Sequence, residues 1–168
     1  LALHRNDYTL LVNNETVFQE NDIVYFISLK ESIDIINKIC GKENFKIKDI
    51  MILGGSRIGL YTAELLENEY RVTIVEKDKE RCDEIVGYLN KTLVINMDGH
   101  DVQMLEEEGL TEMDALISVT ADSEMNIMSS LVGKKHGIKK TIARIENFDY
   151  IHLSQSIGVD TLINKKII

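Results

Sequence analysis

The segment that most constrains this chain is residues 48–76, where two short apolar runs flank a glycine-rich turn and a helical pattern. The first run, residues 50–53, is too short for a helix and ends at a glycine, so it predicts a buried parallel strand. The second run, residues 72–75, is followed by Glu76. Between them, large apolar residues recur on one predicted helix face: Ile58, Tyr61, Leu65 and Leu66. The segment therefore predicts a β-α-β unit.

The turn between the first strand and the helix has the composition of a phosphate-binding loop. Gly54 and Gly55 allow a sharp turn and close approach of a phosphate to main-chain N–H groups, and Gly59 lets the helix pack closely on the strand. The helix N-terminus is then an anion site. Glu76, at the end of the second strand, can accept hydrogen bonds from both ribose hydroxyls of an adenosine and repels a 2′-phosphate. This pattern favours NAD, or an adenosine without a 2′-phosphate, over NADP.

The glycine pattern departs from G-x-G-x-x-G at one position, because Ser56 replaces the glycine that a phosphate approaches. The serine side chain narrows the gap to a pyrophosphate, although its hydroxyl can donate a hydrogen bond. Arg57, the next residue, can bind an additional phosphate with two guanidinium N–H groups. NAD(H) and an adenine nucleotide such as ATP or ADP are therefore both candidate ligands. The alternative is a glycine turn that serves only packing.

The remainder of residues 47–168 alternates strand and helix patterns. Strands are predicted at residues 50–53, 72–75, 93–95, 115–119, 141–145 and 161–163. Helices are predicted at residues 57–67, 79–89, 102–108, 124–136 and 150–157. This alternation predicts an α/β fold, a Rossmann-like doubly wound parallel sheet of order 3-2-1-4-5-6. Its ligand crevice is expected at the carboxyl ends of the first and fourth strands.

Further candidate contacts follow the third and fourth strands. Asp98 can accept a hydrogen bond from an adenine amino group, or it can simply belong to an Asp-Gly turn. Thr120 and Ala121 are expected opposite the glycine turn, at the switch point of the sheet. Their alternative role is to lead into a helix that is capped by Asp122 or Ser123.

Arg144 ends the fifth predicted strand, inside an apolar run. A buried guanidinium requires an anionic partner, and the candidates are Glu146, Asp122 and a ligand phosphate. The histidines share no spacing typical of metal ligands, and three of them are expected to be surface or capping residues: His100, His136 and His152. No metal site is predicted.

Residues 1–41 have a different pattern. Short apolar segments at residues 1–5, 9–12, 17–18 and 23–29, separated by Asn and Asp turns, predict short antiparallel strands. Ser32 is a candidate N-cap for a helix over residues 33–40, which Gly41 ends. These features predict a partial small α+β domain, with residues 41–46 as a linker. Since the sequence begins without Met, we expect it to be a piece of a longer protein.

Composition limits the partners. The formal net charge of −9 argues against nucleic acid as a general partner, because phosphate backbones bind basic surfaces. The two cysteines, Cys40 and Cys82, lie far apart and predict reduced thiols rather than a disulfide framework or zinc site. No apolar run approaches the length that crosses a bilayer, so we expect a soluble or peripheral protein.

Several motifs together resemble the nucleotide-binding domain of the Trk/Ktr potassium-uptake regulators, the RCK family. The resemblance covers nearly all of residues 47–168, and the motifs that carry it are ILGGSRIG, IVEKD, MDGHD, VTADSEMNI and IARIENFDY. Residues 1–41 resemble the last part of the small TrkA-C-like domain of the same family, with Arg5 and the turn Asn21-Asp22 at matching places. The order is then a partial TrkA-C-like domain followed by a TrkA-N-like domain.

The resemblance implies ligand-controlled gating rather than catalysis. In the family the nucleotide is bound by the positions that match here residues 54–58, Glu76, Thr120 with Ala121, and Arg144. Arg57 is similar to the arginine of members that take ATP or ADP. Family members form homo-oligomeric rings on the cytoplasmic face of a membrane potassium transporter, which implies a TrkH- or KtrB-like partner and a peripheral location.

The alternative function is an NAD-dependent oxidoreductase fragment that lacks its catalytic domain. Against it, no segment supplies an acid/base pair beside the expected ligand.

Overall fold

The computed structural model describes residues 1–6, 8–41, 45–146 and 158–164. The chain divides into two compact units, Leu1–Asn44 and Phe45–Ile168, and their boundary falls inside the segment predicted as a linker. Three sequence predictions lie outside the described residues: the helix at residues 150–157, His152, and the linker at residues 42–44.

The first unit is a small antiparallel sheet followed by one helix. Its strands have the order β2-β1-β3, and its elements are β1 (Ala2–Arg5), β2 (Tyr8–Leu11), β3 (Ile23–Tyr25) and α1 (Ile33–Ile39). The sheet is shorter than predicted, because residues 17–18 form no strand and the last strand ends at Tyr25. Ser32 is the N-cap residue of α1, as predicted, but its side chain makes no capping hydrogen bond.

An ion pair joins the first strand to the turn before β3. The guanidinium of Arg5 donates to both carboxylate oxygens of Asp22, at 2.8 and 2.7 Å, and also to the carbonyl of Val17. Asp22 also accepts a hydrogen bond from the backbone N–H of Gln19. The Arg5 hydrogen bonds lower the pKa of Asp22 to about 2.

The second unit is a six-stranded parallel sheet in the order β6-β5-β4-β7-β8-β9, which confirms the predicted order 3-2-1-4-5-6. The strands are β4 (Asp49–Leu53), β5 (Arg71–Glu76), β6 (Leu93–Asn96), β7 (Ala115–Ser118), β8 (Lys140–Ile145) and β9 (Thr161–Asn164). The helices between them are α2 (Arg57–Leu66), α3 (Lys79–Val86), α4 (Val102–Glu107) and α5 (Ser123–Lys135).

Both faces of this sheet are covered by helices. Alternate residues of β4 point to opposite faces, so Ile52 packs with Ala63 of α2 and Ile85 of α3. Leu53 belongs to the core on the other face, with Leu105 of α4. The fold is therefore the doubly wound α/β architecture. The strand order reverses between β4 and β7, so the carboxyl ends of these two strands form the expected switch point.

The predicted buried face of α2 is wrong in all but one residue. Leu66 packs against the core, whereas Tyr61 and Leu65 are 62% and 79% exposed and Ile58 is also exposed. The helix instead packs against the sheet through its small residues, Gly59 and Ala63, which allow close approach. Large apolar residues therefore line the outer face of α2.

Candidate functional site

A pocket of about 500 Å³ opens at the carboxyl ends of β4, β5, β6 and β7. It lies where the strand order reverses, which is the position at which open α/β sheets bind ligands. Six of the predicted site residues line it: Gly54, Ser56, Glu76, Asp98, Thr120 and Ala121. Ten further residues complete the lining: Leu53, Val75, Lys77, Asp78, Arg81, Gly99, His100, Asp122, Met125 and Ser129.

The glycine turn is held by close backbone contacts. Gly54 has a φ of +105°, and a Cβ there would lie 3.0 Å from the backbone N of Thr120. A Cβ on Gly59 would lie only 1.9 Å from the carbonyl oxygen of Gly54. Glycine is therefore required at both positions. Gly54 needs it for its positive φ and its contact with Thr120, and Gly59 needs it so that α2 can pack against the turn.

The peptide groups around Gly55 are held from two sides. Glu76 Oε2 accepts a hydrogen bond from the N–H of Gly55 at 2.7 Å, and its Oε1 accepts from the N–H of Asp78 at 2.9 Å. On the other side, Arg81 Nε donates to the carbonyl of Gly55 at 2.6 Å. Arg81 also forms an ion pair with Glu84. The acidic strand end and α3 thus fix the shape of the glycine turn.

The start of α2 lies beside the pocket, which Ser56 lines. Ser56 is its N-cap residue, but the serine side chain makes no capping hydrogen bond and lies 3.4 Å from the carbonyl of Val119. The first N–H groups of a helix have no partner within the helix, so they are available to an anion. Arg57 and Ile58 are exposed and do not line the pocket.

The loop after β6 carries a paired acid and base. The Asp98 carboxylate accepts a hydrogen bond from the backbone N–H of His100 at 3.0 Å and also contacts the Nδ1 atom of the His100 ring. These hydrogen bonds hold the pKa of Asp98 below its ordinary value. His100, expected as an ordinary surface residue, is therefore part of the pocket wall.

The loop after β7 is fixed by Asn126 of α5, which is 1% exposed. Asn126 Oδ1 accepts from the N–H and hydroxyl of Thr120, at 3.0 and 2.7 Å. Its Nδ2 donates to the carbonyls of Thr120 and Arg144, at 3.1 and 2.9 Å. The side-chain amide of Asn126 therefore joins the loop to β8. Its oxygen meets only donors and its nitrogen meets only acceptors, as the chemistry of an amide requires.

Arg144 lies behind this loop rather than in the pocket wall. Its Nη1 donates to the carbonyl of Thr120 at 3.1 Å, and its Nη2 pairs with Glu146, one of the three partners that the sequence allowed. The side chain is 14% exposed. Asp122, another of those candidates, instead caps α5 by accepting from the N–H of Met125 at 2.9 Å.

Among the residues that the sequence did not mark as ligand contacts are Arg81, Met125 and Ser129, which line the pocket, and Asn126, which fixes its loop. Met125 is partly buried. The spacing of Asp78 and Arg81 at the start of α3 was the available signal for Arg81, because helix N-termini after a strand face the switch point. No local pattern marks Asn126, since its partners are distant in sequence.

The described residues contain no group of three or more metal-ligating side chains, and none of their helices is long and apolar enough to cross a membrane.

Comparison with known families gives one match that covers most of the chain. The model of the TrkA-N domain matches residues 50–165. Among curated relatives, the Trk system potassium uptake protein trkA homolog 1 of Methanosarcina mazei is 31% identical over 167 residues. That alignment covers 98% of this chain and 41% of the relative, so the chain spans about two-fifths of the relative's length.

Solved structures share the fold at lower identity. The GsuK channel bound to NAD aligns with a TM-score of 0.61 and 19% identity, covering 97% of this chain and 29% of that one. GsuK bound to ADP aligns with a TM-score of 0.59 and 21% identity, covering 70% of this chain and 30% of that one. The similarity to the TrkA-N domain extends over most of the chain, and the solved structures show the same fold.

Proposed function

The chain belongs to the TrkA-N domain family, and on that premise we propose that it is a nucleotide-binding regulatory module of a potassium-uptake system. The observation that carries the proposal is the pocket at the switch point, where a glycine turn, a helix N-terminus and the Glu76 carboxylate meet. These are the groups that a nucleotide needs for its phosphates and its ribose.

The adenosine half of NAD(H), or of ATP or ADP, fits this pocket by its chemistry. The ribose hydroxyls would replace the N–H groups of Gly55 and Asp78 as donors to Glu76, which frees the Gly55 N–H for a phosphate oxygen. The carboxylate also disfavours a 2′-phosphate by charge repulsion. The published neighbours named for NAD and for ADP support both ligand classes.

Arg57 offers a way to distinguish adenine-nucleotide binding from dinucleotide binding. It is the first residue of α2 and does not line the pocket, so it would meet only a ligand whose phosphate chain extends beyond the pocket. The test is a calorimetric titration of this chain with NAD, NADH, ATP and ADP, beside Arg57→Ala. Binding of ATP or ADP that Arg57→Ala weakens identifies an adenine-nucleotide site, and NADH binding that it leaves unchanged identifies a dinucleotide site. Absence of binding by all four would contradict the proposal.

The partner that we propose is a membrane potassium transporter subunit of TrkH- or KtrB-like type, with this chain peripheral on the cytoplasmic face. The support is the name of the Methanosarcina relative, a potassium uptake protein. The same name favours regulation over the oxidoreductase alternative, so we propose that the module is not an enzyme. Residues 1–41 would then be a partial TrkA-C-like domain, for which the Arg5–Asp22 pair offers a fixed turn.

We also propose that copies of this chain associate through their nucleotide-binding units. The exposed stripe of Ile58, Tyr61 and Leu65 lies along one side of α2. Two such helices packed antiparallel about a twofold axis near Tyr61 would place Ile58 of each copy beside Leu65 of the other, as an isologous contact requires.

Sedimentation velocity tests this association. Tyr61→Lys is expected to shift the chain toward monomer, whereas Glu69→Lys, a change of exposed charge outside the stripe, is not. Equal oligomeric states for both variants and the parent would exclude α2 as the interface.

A further inference from the structure

The part of the pocket wall that α5 contributes contains a hydroxyl without a protein partner among the described residues. Ser129 lines the pocket and is 5% exposed. Among the described residues, its side chain has no hydrogen-bond partner. The hydroxyl is accessible from the pocket, since it is not among the fully enclosed unpartnered side-chain atoms of the described residues. It can therefore exchange a water molecule for an atom of a ligand. Such a group at the wall of a cavity is positioned to bind something that enters the cavity.

The next serine on the same helix shows the usual solution. Ser130 is fully buried, and its hydroxyl donates to the carbonyl of Asn126 at 2.9 Å, four residues earlier. This bond is the one that helical serines commonly form. Ser129 has the same backbone option one residue earlier in the helix, at Met125, but its hydroxyl does not take it. Its orientation toward the pocket is therefore a distinct feature of this position.

The surroundings of Ser129 indicate what kind of group fits there. Leu53, Val75 and Met125 give the pocket apolar walls, and Met125 lies one helical turn before Ser129 on the same face of α5. Asp98 and His100 are among the polar residues that line the same pocket. A planar base has apolar faces and polar atoms on its edge. It therefore matches a pocket that combines apolar walls with polar side chains.

We propose that Ser129 is a specificity-determining residue whose hydroxyl donates a hydrogen bond to a ring nitrogen of the adenine base. The proposal rests on the proposed function and assigns the base end of that same pocket. Asp98 is acceptor-only, because its ionised form is stabilised by His100, so it pairs with the amino group of adenine. The ring nitrogens of adenine have lone pairs and no hydrogen, so they need a donor, and Ser129 supplies one.

The test is a double-mutant cycle of binding affinities, in which one hydrogen-bonding atom is removed from the protein and one from the nucleotide. ADP and its 1-deaza, 3-deaza and 7-deaza analogues, in each of which one ring nitrogen becomes C–H, are titrated into the parent and into Ser129→Ala. NAD carries the same adenosine and replaces ADP if the parent prefers it. Ser118→Ala is the control, because Ser118 is fully buried and unpartnered in the described residues but does not line the pocket.

We expect one deaza analogue to bind the parent about fivefold to tenfold more weakly than ADP, which is the effect of one lost hydrogen bond. Ser129→Ala should bind ADP more weakly than the parent does, by a similar factor, and should bind that analogue and ADP equally. The loss of affinity from the substitution and the loss from the analogue then do not add. Ser118→Ala should keep the parent's preference. The inference is overturned if Ser129→Ala retains the parent's discrimination, or if the parent binds all the analogues alike. A parent that binds neither ADP nor NAD would instead overturn the proposed function itself.

Discussion

The carboxylate of Glu76 and the backbone N–H of Gly55 are joined by a 2.7 Å hydrogen bond across the mouth of the pocket. One residue ends β5 and the other belongs to the turn after β4, so the bond ties the two strand ends together. Both groups are also the ones that a nucleotide would use. In the proposed function, nucleotide binding would therefore exchange hydrogen-bond partners within an existing arrangement.

Replacing Glu76 with Ala should weaken nucleotide binding about tenfold to a hundredfold, because two charge-assisted hydrogen bonds to ribose are lost. Calorimetry measures the loss, and Glu108→Ala, which removes an exposed carboxylate at the end of α4, serves as the control. Glu76→Gln should raise the affinity for NADPH relative to NADH, since it removes the charge that repels a 2′-phosphate. Unchanged affinity in Glu76→Ala would remove this residue from the site.

Replacing Gly59 with Ala should disrupt the glycine turn. The new Cβ would meet the Gly54 carbonyl at 1.9 Å, so α2 must move away from the turn or the turn must distort. We expect a loss of about 2 kcal/mol or more in the free energy of unfolding, as for other overpacked sites. Urea unfolding followed by circular dichroism measures it, since the chain has no tryptophan.

The control for that experiment is Gly99→Ala, whose Cβ would have its nearest contact at 3.8 Å. It should unfold at nearly the parent's urea concentration. Similar destabilisation of the two variants would mean that close packing at Gly59 is not what requires glycine.

Replacing Asn126 with Ala should destabilise the second unit by about 2 kcal/mol or more, because backbone groups of Thr120 and Arg144 lose partners in a buried place. Nucleotide affinity should fall as well, since the loop after β7 is no longer fixed. Asn90→Ala, at an exposed position, is the matched control. A fully stable Asn126→Ala variant would show that the loop is held by other contacts.

Asp114 makes the stability depend on acid pH. It accepts hydrogen bonds from Lys139 at 2.8 Å and from the backbone N–H groups of Lys48 and Asp49 at 2.8 and 3.2 Å. The Lys139 bond first, and then the backbone bonds, lower its pKa from 3.8 to about 2. Since the folded pKa lies below the unfolded one, the stabilisation is complete above 3.8 and is lost as pH falls through about 2.

Asp114→Asn should therefore be less stable than the parent at neutral pH, and the difference should shrink as pH falls below about 4. Urea midpoints of both proteins between neutral pH and about pH 3 test this. A difference that stays constant over the whole range would show that ionisation of Asp114 is not its source.

The strand order and the position of the pocket could be predicted from sequence, because they depend on short-range patterns. Gly54 and Gly59 occupy positions that only glycine allows, and Glu76 follows an apolar run directly. Parallel strands joined by helices then have few topological options. A parallel sheet brings the carboxyl ends of its strands to one edge, and this placement does not depend on individual side-chain orientations.

The side-chain roles could not be predicted to the same extent. Arg144 was selected because a buried guanidinium needs an anion, but the direction of its side chain, toward Glu146 and behind the loop, is set by tertiary packing. Asn126 has partners up to 18 residues away, so no local pattern reveals it. The face of α2 was wrong because Gly59 and Ala63, which pack against the sheet, carry little hydrophobic signal of their own.

The most direct test of the account is amide hydrogen exchange of the chain with and without a saturating nucleotide, using whichever of NADH and ADP binds. The account predicts slower exchange at the glycine turn and at the strand ends around residues 76–78, 98–100 and 120–122. It predicts no change at the opposite edge of the sheet, around residues 68–71 and 91–93. Protection at that opposite edge, or no protection at the glycine turn despite binding, would contradict a nucleotide site at the switch point.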